Sequence, residues 1–264
     1  MNNVVWYFRQ GGRISRDEAI ILIPSIAEDT NSMYLVASDL MASNYRVVIV
    51  SIPAYENIHE FLNGFDLFTA KLLIGKVHLI GFGFGGFLSL HIASYQQLSA
   101  IIKSITLVSS FLSTQVFKKS SGLFSKLTGK AVLVDELCIN QVPKNLKESC
   151  VFIADLLENI PSQIISARLK MRSNAPSAPI PEMPQNSILI IQSLDWAFKL
   201  NDGAVPHRVI NTSQKVALLS TGGNHPHLAA PDKLLVFIKH HLEKWITKDE
   251  VDDEIDHEEE EEEY

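Results

Sequence analysis

Val77 to Tyr95 reads VHLIGFGFGGFLSLHIASY, and its interpretation decides the fold. Val77 to Ile80 is a short apolar run of strand type, Gly81 to Gly86 admits a very tight turn, and Phe87 to Tyr95 continues as an apolar helix. A buried strand, a sharp turn of small residues and a buried helix form the layout of the nucleophile elbow, G-x-S-x-G. The central position of that pattern holds Gly83 where a serine would supply the nucleophile.

Working outward, apolar strands are expected at Ala19–Ile23, Tyr45–Ile52, around Leu79 and at Lys103–Ser109, with helical segments between them at Met33–Met41 and Ile58–Leu73. Asn31 and Ser32 are candidate caps for the first of these helices, and Asn44 is its expected stop. Val47 to Val50 is β-branched throughout, as expected of a strand covered on both faces. Upstream, Val4–Arg9 is expected to add a short strand closed by a turn at Gln10-Gly11-Gly12. From Phe111 to about Leu169 the strand pattern lapses into helical segments, followed by the four-proline linker NAPSAPIPEMPQ, Asn174 to Gln185. Strands at Ser187–Gln192 and Val216–Leu219 and a helix from Pro231 complete the pattern. The βαβ rhythm predicts an α/β chain, specifically an α/β-hydrolase fold: a mostly parallel central sheet flanked by helices, with a small helical cap inserted at about 111–186. The expected domain is 1–246, followed by an acidic, disordered tail at 247–264.

Composition supports one domain. The chain has 264 residues, 46% apolar and 20% charged, enough for one well-buried core. Its formal charge of −7 is concentrated at one end, since Thr247–Tyr264 carries twelve acids and one lysine. The remainder is mildly basic and lacks the clustered Lys/Arg with interleaved aromatics of nucleic-acid binders. Cys138 and Cys150 form no metal-spaced set, so reduced thiols are expected. The first residues, MNNVVWYFRQGGR, do not read as a signal peptide. Val77–Ile102 is long enough to span a bilayer and holds no Asp, Glu, Lys or Arg, but its four glycines divide it into strand, turn and helix.

A hydrolase of this architecture carries nucleophile, acid and histidine in that chain order, each beyond its own strand. Asp195 fills the acid position. Aligning Pro226, His227 and Leu228 with the G-H-x-P-H-L run common in such hydrolases puts Asn224 at the base position, and an amide cannot accept the nucleophile's proton. A shift of one residue offers His225 instead, but Gly83 leaves it nothing to activate. Losing the nucleophile alone costs about a millionfold in turnover. Pro24-Ser25-Ile26-Ala27 lacks the His-Gly type of sequence that supplies an oxyanion donor. The degenerate triad is therefore Gly83, Asp195 and Asn224, with no catalytic residue and no cofactor expected.

The same residues admit other readings. Gly81, Gly83 and Gly86 form G-x-G-x-x-G, but no Asp or Glu occurs between Asp66 and Asp135 to hold a ribose. His225 and His227, even with His207, have no clustered acid to complete a metal site, so a solvated loop and no metal are expected. His240 and His241 are expected at the surface near a helix end. Phe82 and Phe84 flank the elbow tip and, with Ser25 and His225, are the candidates for binding a ligand or partner. Ser25, Ser193 and Thr221 are hydroxyls that could replace the nucleophile, without an evident base. Tyr264, after six glutamates, could be captured as an acidic-aromatic carboxyl end, or the tail could simply solubilise.

GFGFGGFL, YRVVIVSIPAY, HEFLNGFDLF and STGGNHPHL together resemble the maspardin family, from about Val4 to Trp245. The resemblance implies a non-catalytic α/β-hydrolase fold in a cytosolic protein associated peripherally with endosomal and trans-Golgi membranes. It also implies protein partners, including the cytoplasmic tail of a cell-surface receptor. Asparagine at the base position agrees with Asn224, whereas the family keeps a serine where this chain has Gly83. The glutamate-rich end has no counterpart in it. The leading expectation is a protein-binding adaptor; the alternatives are a receptor for an acyl or lipid-like ligand and a hydrolase with a replacement nucleophile.

Overall fold

A computed structural model describes residues 4–14, 16–115, 117, 125–137, 140–195 and 215–246. The strands are β1 (Phe8–Gly11), β2 (Glu18–Ile23), β3 (Val47–Val50), β4 (Lys76–Phe82), β5 (Ile102–Val108), β6 (Ile188–Ser193) and β7 (Lys215–Leu219). They form one sheet in the order β1-β3-β2-β4-β5-β6-β7, parallel except for β1, which runs antiparallel to β3. Successive strand residues point to opposite faces, so an apolar run with no polar alternation needs cover on both sides. In β2, Ile21 and Ile23 join the core with Phe61, Phe65 and Phe87, while Ile20 and Leu22 join Met33, Leu40, Leu234 and Ile238. The two layers of cover are α2 (Ile58–Lys71) with α3 (Phe84–Ala93), and α1 (Tyr34–Ala42) with the last described helix, Pro231–Leu242.

The suspect apolar stretch divides into β4, Gly83, α3 and the short α4 (Gln96–Ser99). No described helix is long and apolar enough to cross a membrane. Every residue of α3 is buried, so its hydrophobicity reflects enclosure by protein.

Three expectations need correction. β1 starts at Phe8 and extends through Gln10 and Gly11, because pairing with Val47 and Val48 carries these residues into the ladder. Neither Asn31 nor Ser32 caps α1; Met33 occupies the cap position without a side-chain bond, and the Ser32 hydroxyl instead donates to Glu28 Oε2 at 3.0 Å. His241 is buried at 1% exposure rather than at the surface, because it faces inward on the last helix while His240 stays outside. The expected stop at Asn44 does coincide with a left-handed φ of 63°, which asparagine tolerates better than most residues.

Between β5 and β6 the chain forms α5 (Ser125–Glu136), α6 (Lys144–Asn159) and α7 (Ser162–Asn174). Arg168 of α7 is fully buried. It donates from Nε to the Ile52 carbonyl at 2.8 Å and from one terminal nitrogen to the carbonyls of Ile26 and Glu28 at 2.9 and 3.0 Å. Its other terminal nitrogen donates to Ser51 Oγ at 3.2 Å. One guanidinium thus ties this helix to the loops after β2 and β3, using the planar array of donors that lysine lacks. Burial pushes its pKa down to about 10, with Asp29 and Glu28 opposing the shift. Four residues later, Arg172 makes a bidentate pair with Glu136, both bonds 2.7 Å, and lies over the Phe117 ring.

The proposed tail, together with Cys138, Trp196 and His207, lies outside the described residues. Cys150 is buried on α6.

Arg168→Ala is expected to destabilise the chain by about 3 kcal/mol or more, because three buried carbonyls lose their donor. Arg168→Lys should recover only part of this. Chemical denaturation of the two variants measures both effects. A second expectation concerns pH. Burial pushes both His91 and His241 down to about 4 from an ordinary 6.5. Below pH 6.5 the unfolded chain therefore binds more protons than the folded one. Stability is present above that pH and lost as it falls toward 4, by at most about 1.4 kcal/mol per pH unit for each histidine. Denaturation midpoints should fall across this window, and less steeply in His91→Gln and His241→Gln.

Candidate functional site

The ends of β2 and β4 adjoin at the point where the sheet's connections reverse direction: β3 lies on one side of β2, and β4 and β5 on the other. A crevice opens at such a point in α/β sheets. Here close packing shapes it. A Cβ on Gly85 would stand 2.0 Å from the Ile23 carbonyl oxygen, and one on Gly81 would stand 2.5 Å from backbone atoms of Gly85 and Gly86. Side chains at either position would force α3 away from β2 and β4.

Gly83 sits at the tip, with φ 51° and ψ −113°. This is a left-handed φ that glycine adopts without a steric penalty. Its N–H donates to the Val108 carbonyl at 2.9 Å, and its carbonyl accepts from Ser110 Oγ at 3.0 Å. The elbow is therefore fully braced without a nucleophile. A Cβ added to Gly83 would meet Ser25 Oγ at 2.5 Å and Ser25 Cβ at 3.2 Å. The Ser25 side chain thus occupies the space an elbow side chain would need, and its oxygen lies 3.5 Å from the Phe84 N–H. In an elbow hydrolase the amide after the nucleophile serves the oxyanion; here a neutral hydroxyl stands in front of it.

A cavity of ≈ 90 Å³ adjoins this point, with Ser25, Gly83, Phe84, Ser109, Asn224 and His225 in its lining. Phe84 is therefore at the site. Phe82 is not among the lining residues: its buried ring packs in the opposite core layer and edge-on to His227, with centroids 4.7 Å apart. The turn explains this: Phe82 ends β4 and Phe84 opens α3, and the left-handed Gly83 between them sends the two side chains to different layers.

The acid position is used differently from a triad. Asp195 accepts from Thr221 Oγ1 at 2.9 Å, Gly223 N at 2.9 Å and Gly222 N at 3.3 Å. Its carboxylate braces the loop after β7. Thr221, one of the candidate replacement nucleophiles, is thereby held as a donor. Ser193, another, is buried at the end of β6 with no hydrogen-bond partner for its hydroxyl. Asn224 borders the cavity, and its Oδ1 is buried without a partner.

His225 pairs instead with Glu28, a residue the sequence reading passed over. Glu28 lies in the loop after β2 and is fully buried. Its Oε1 is 3.0 Å from His225 Nδ1, and its Oε2 is 3.3 Å from His227 Nε2. Ser32 Oγ adds a bond to Oε2, and the Ser25 N–H approaches the same oxygen at 3.4 Å. Burial raises the carboxyl's pKa, but the nearby His227 imidazole and the hydrogen bond with His225 outweigh it and hold the group well below the usual carboxylate range. The expectation that these histidines belong to a solvated loop without an acid is overturned: both are buried, and the acid arrives from 197 residues away in the chain. No local pattern links Glu28 to His225. The only hint in the sequence was an acidic residue just beyond an apolar strand.

No protein-family model matches the chain. Maspardin from Danio rerio is 24% identical over 246 residues, covering 91% of this chain and 79% of that protein. Maspardin from Homo sapiens is 23% identical over 243 residues, with 90% and 79% covered. Among solved structures, the enol-lactonase from Burkholderia xenovorans LB400 superposes with a TM-score of 0.72 at 14% identity, covering 91% of this chain and 97% of that one. A thermophilic esterase from Thermogutta terrifontis gives 0.73 at 13%, with 92% and 95% covered. At such identities the superpositions establish architecture and leave chemistry to the residues. In sequence the chain is similar to maspardin, and in architecture it has an α/β-hydrolase fold.

Proposed function

We propose that this chain is a non-catalytic α/β-hydrolase-fold adaptor that acts by binding another protein, in vesicle traffic at endosomal and trans-Golgi membranes. The observation that carries the reading is Gly83 at the elbow, with the Ser25 side chain standing in the nucleophile's space. Asp195 adds support, since its partners are Thr221 and two backbone amides. The similarity to maspardin supports the proposed setting, a cytosolic protein peripheral to membranes with a receptor's cytoplasmic tail as one kind of partner. The elbow, Phe84 and the cap helices form the face nearest the former active site.

A second reading is favoured by one specific observation. Ser25 Oγ lies 2.5 Å from where an elbow Cβ would stand, and His225, paired with Glu28, borders the same cavity. A serine is activated when a base accepts its proton through a hydrogen bond. His225 Nε2, the nitrogen that would do so, has no hydrogen-bond partner. Ser25 is therefore left with the weak nucleophilicity of an ordinary hydroxyl, and the adaptor reading stands ahead.

Purified chain is expected to hydrolyse p-nitrophenyl acetate and butyrate no faster than a denatured control and to remain unlabelled by a fluorophosphonate probe. Labelling that disappears in Ser25→Ala would overturn the adaptor reading in favour of the second. Affinity purification of the full chain, and of residues 1–246, should then return a common protein partner whose direct binding is confirmed with purified components. Failure of either form to bind any purified candidate would count against an adaptor role.

A further inference from the structure

Glu28, His225 and His227 form a group that the adaptor reading does not use. Each offers one ligand atom, these atoms lie within 4.8 Å of one another, and all three residues are buried. An ion pair alone accounts poorly for this cluster. His227 is 1% exposed, yet neither of its ring nitrogens completes a hydrogen bond; Nε2 stands 3.3 Å from the carboxylate without the alignment of a donor. His225 Nε2 is likewise buried and unpartnered. Buried polar nitrogens left unbonded each cost about 1–3 kcal/mol; of the three here, His227 Nε2 faces the carboxylate, while His225 Nε2 and His227 Nδ1 are the nitrogens of their rings not turned to it.

We propose that Glu28, His225 and His227 bind a divalent transition-metal ion, with Zn²⁺ as the first candidate. Two imidazoles and one carboxylate are a donor set that suits zinc and its neighbours and disfavours Ca²⁺ or Mg²⁺, which prefer oxygen ligands. Two donors about 2.1 Å from one ion, at angles of about 90–110°, stand about 3.0–3.4 Å apart. The separations of 3.0 Å from His225 Nδ1 to Glu28 Oε1 and 3.3 Å from His227 Nε2 to Glu28 Oε2 are of that size but end on the two different oxygens; with one atom from each residue the set lies within 4.8 Å, and side-chain rotations close the remainder. His225 Nδ1 and His227 Nε2 are the nitrogens turned to the carboxylate. The supporting shell is present as well. Ser32 Oγ donates to Glu28 Oε2, and Arg168 holds the Glu28 carbonyl, so the acid's position is fixed from side chain and backbone. Such outer contacts orient ligands and typically matter 10–100-fold in affinity. His225 also lines the cavity beside Gly83, so an ion there would join the loop after β2 to the loop after β7 across the mouth of the former active site. The inference does not rest on the adaptor reading, because it concerns ligands and not catalysis or partner choice.

Full-length protein, freed of metal by chelation and checked by circular dichroism, is titrated with Zn²⁺ by calorimetry and with Co²⁺ by visible absorption. Expected are one saturable equivalent absent from the His225→Gln and His227→Gln variants, d–d bands that report nitrogen ligation of Co²⁺, and a Tm that rises with Zn²⁺ in the parent alone. Ca²⁺ and Mg²⁺ should not compete. The glutamate-rich end can collect ions of its own, but that binding persists in both variants and is subtracted. The inference is overturned if the titrations of parent and folded variants coincide, or if Co²⁺ gives no ligand-field bands with the parent. Either result leaves a His–Glu–His ion pair only.

Discussion

A carboxylate that is removed from water must be surrounded by donors or neutralised. Glu28 meets this requirement through hydrogen bonds with His225 and Ser32 and the close His227 imidazole, while Arg168 grips its backbone. Much of the molecule's active-site face follows from that one buried charge. It draws the loop after β7 across the ends of the intervening strands toward the loop after β2, and Arg168 anchors the same loop to the cap. Where a working triad joins histidine to an acid on a neighbouring strand, this chain joins it to an acid from the opposite side of the crevice.

The consequence is a division of labour among residues that otherwise would act together. Asp195 is a structural acceptor for the loop at Thr221–Gly223. Gly83 keeps the sharp turn at a left-handed φ, and its missing side chain gives Ser25 room. Arg172 and Glu136 close the cavity from the cap side as a bidentate pair. The hydrolase architecture persists because its glycine contacts and its two-sided sheet core are packing requirements, indifferent to whether a nucleophile is present.

Legibility in the sequence varied by the range of the interaction. Val47–Val50 and the glycine turn were readable because a continuous β-branched run and a cluster of small residues constrain the local backbone. The β1 boundary was misplaced because its ladder partner, β3, decides where pairing ends. Ser32 was misread as a cap because its hydroxyl has a stronger acceptor in Glu28, and His241 as exposed because the direction of a helix face depends on what packs against it. Phe82 and Phe84 looked equivalent flanking the tip, but the turn sends them to opposite layers.

By itself, the sequence determined the α/β class, the elbow without its serine, and an asparagine before His225; these depend on residue type and on spacing along the chain. Only the tertiary structure decided that Glu28, His225 and His227 meet, that Ser25 fills the space beside Gly83, and that Asp195 braces a loop. The physical reason is that burial and charge pairing are set by strand order and loop crossing, which bring residues 28 and 225 to 3.0 Å though nothing in their local patterns connects them.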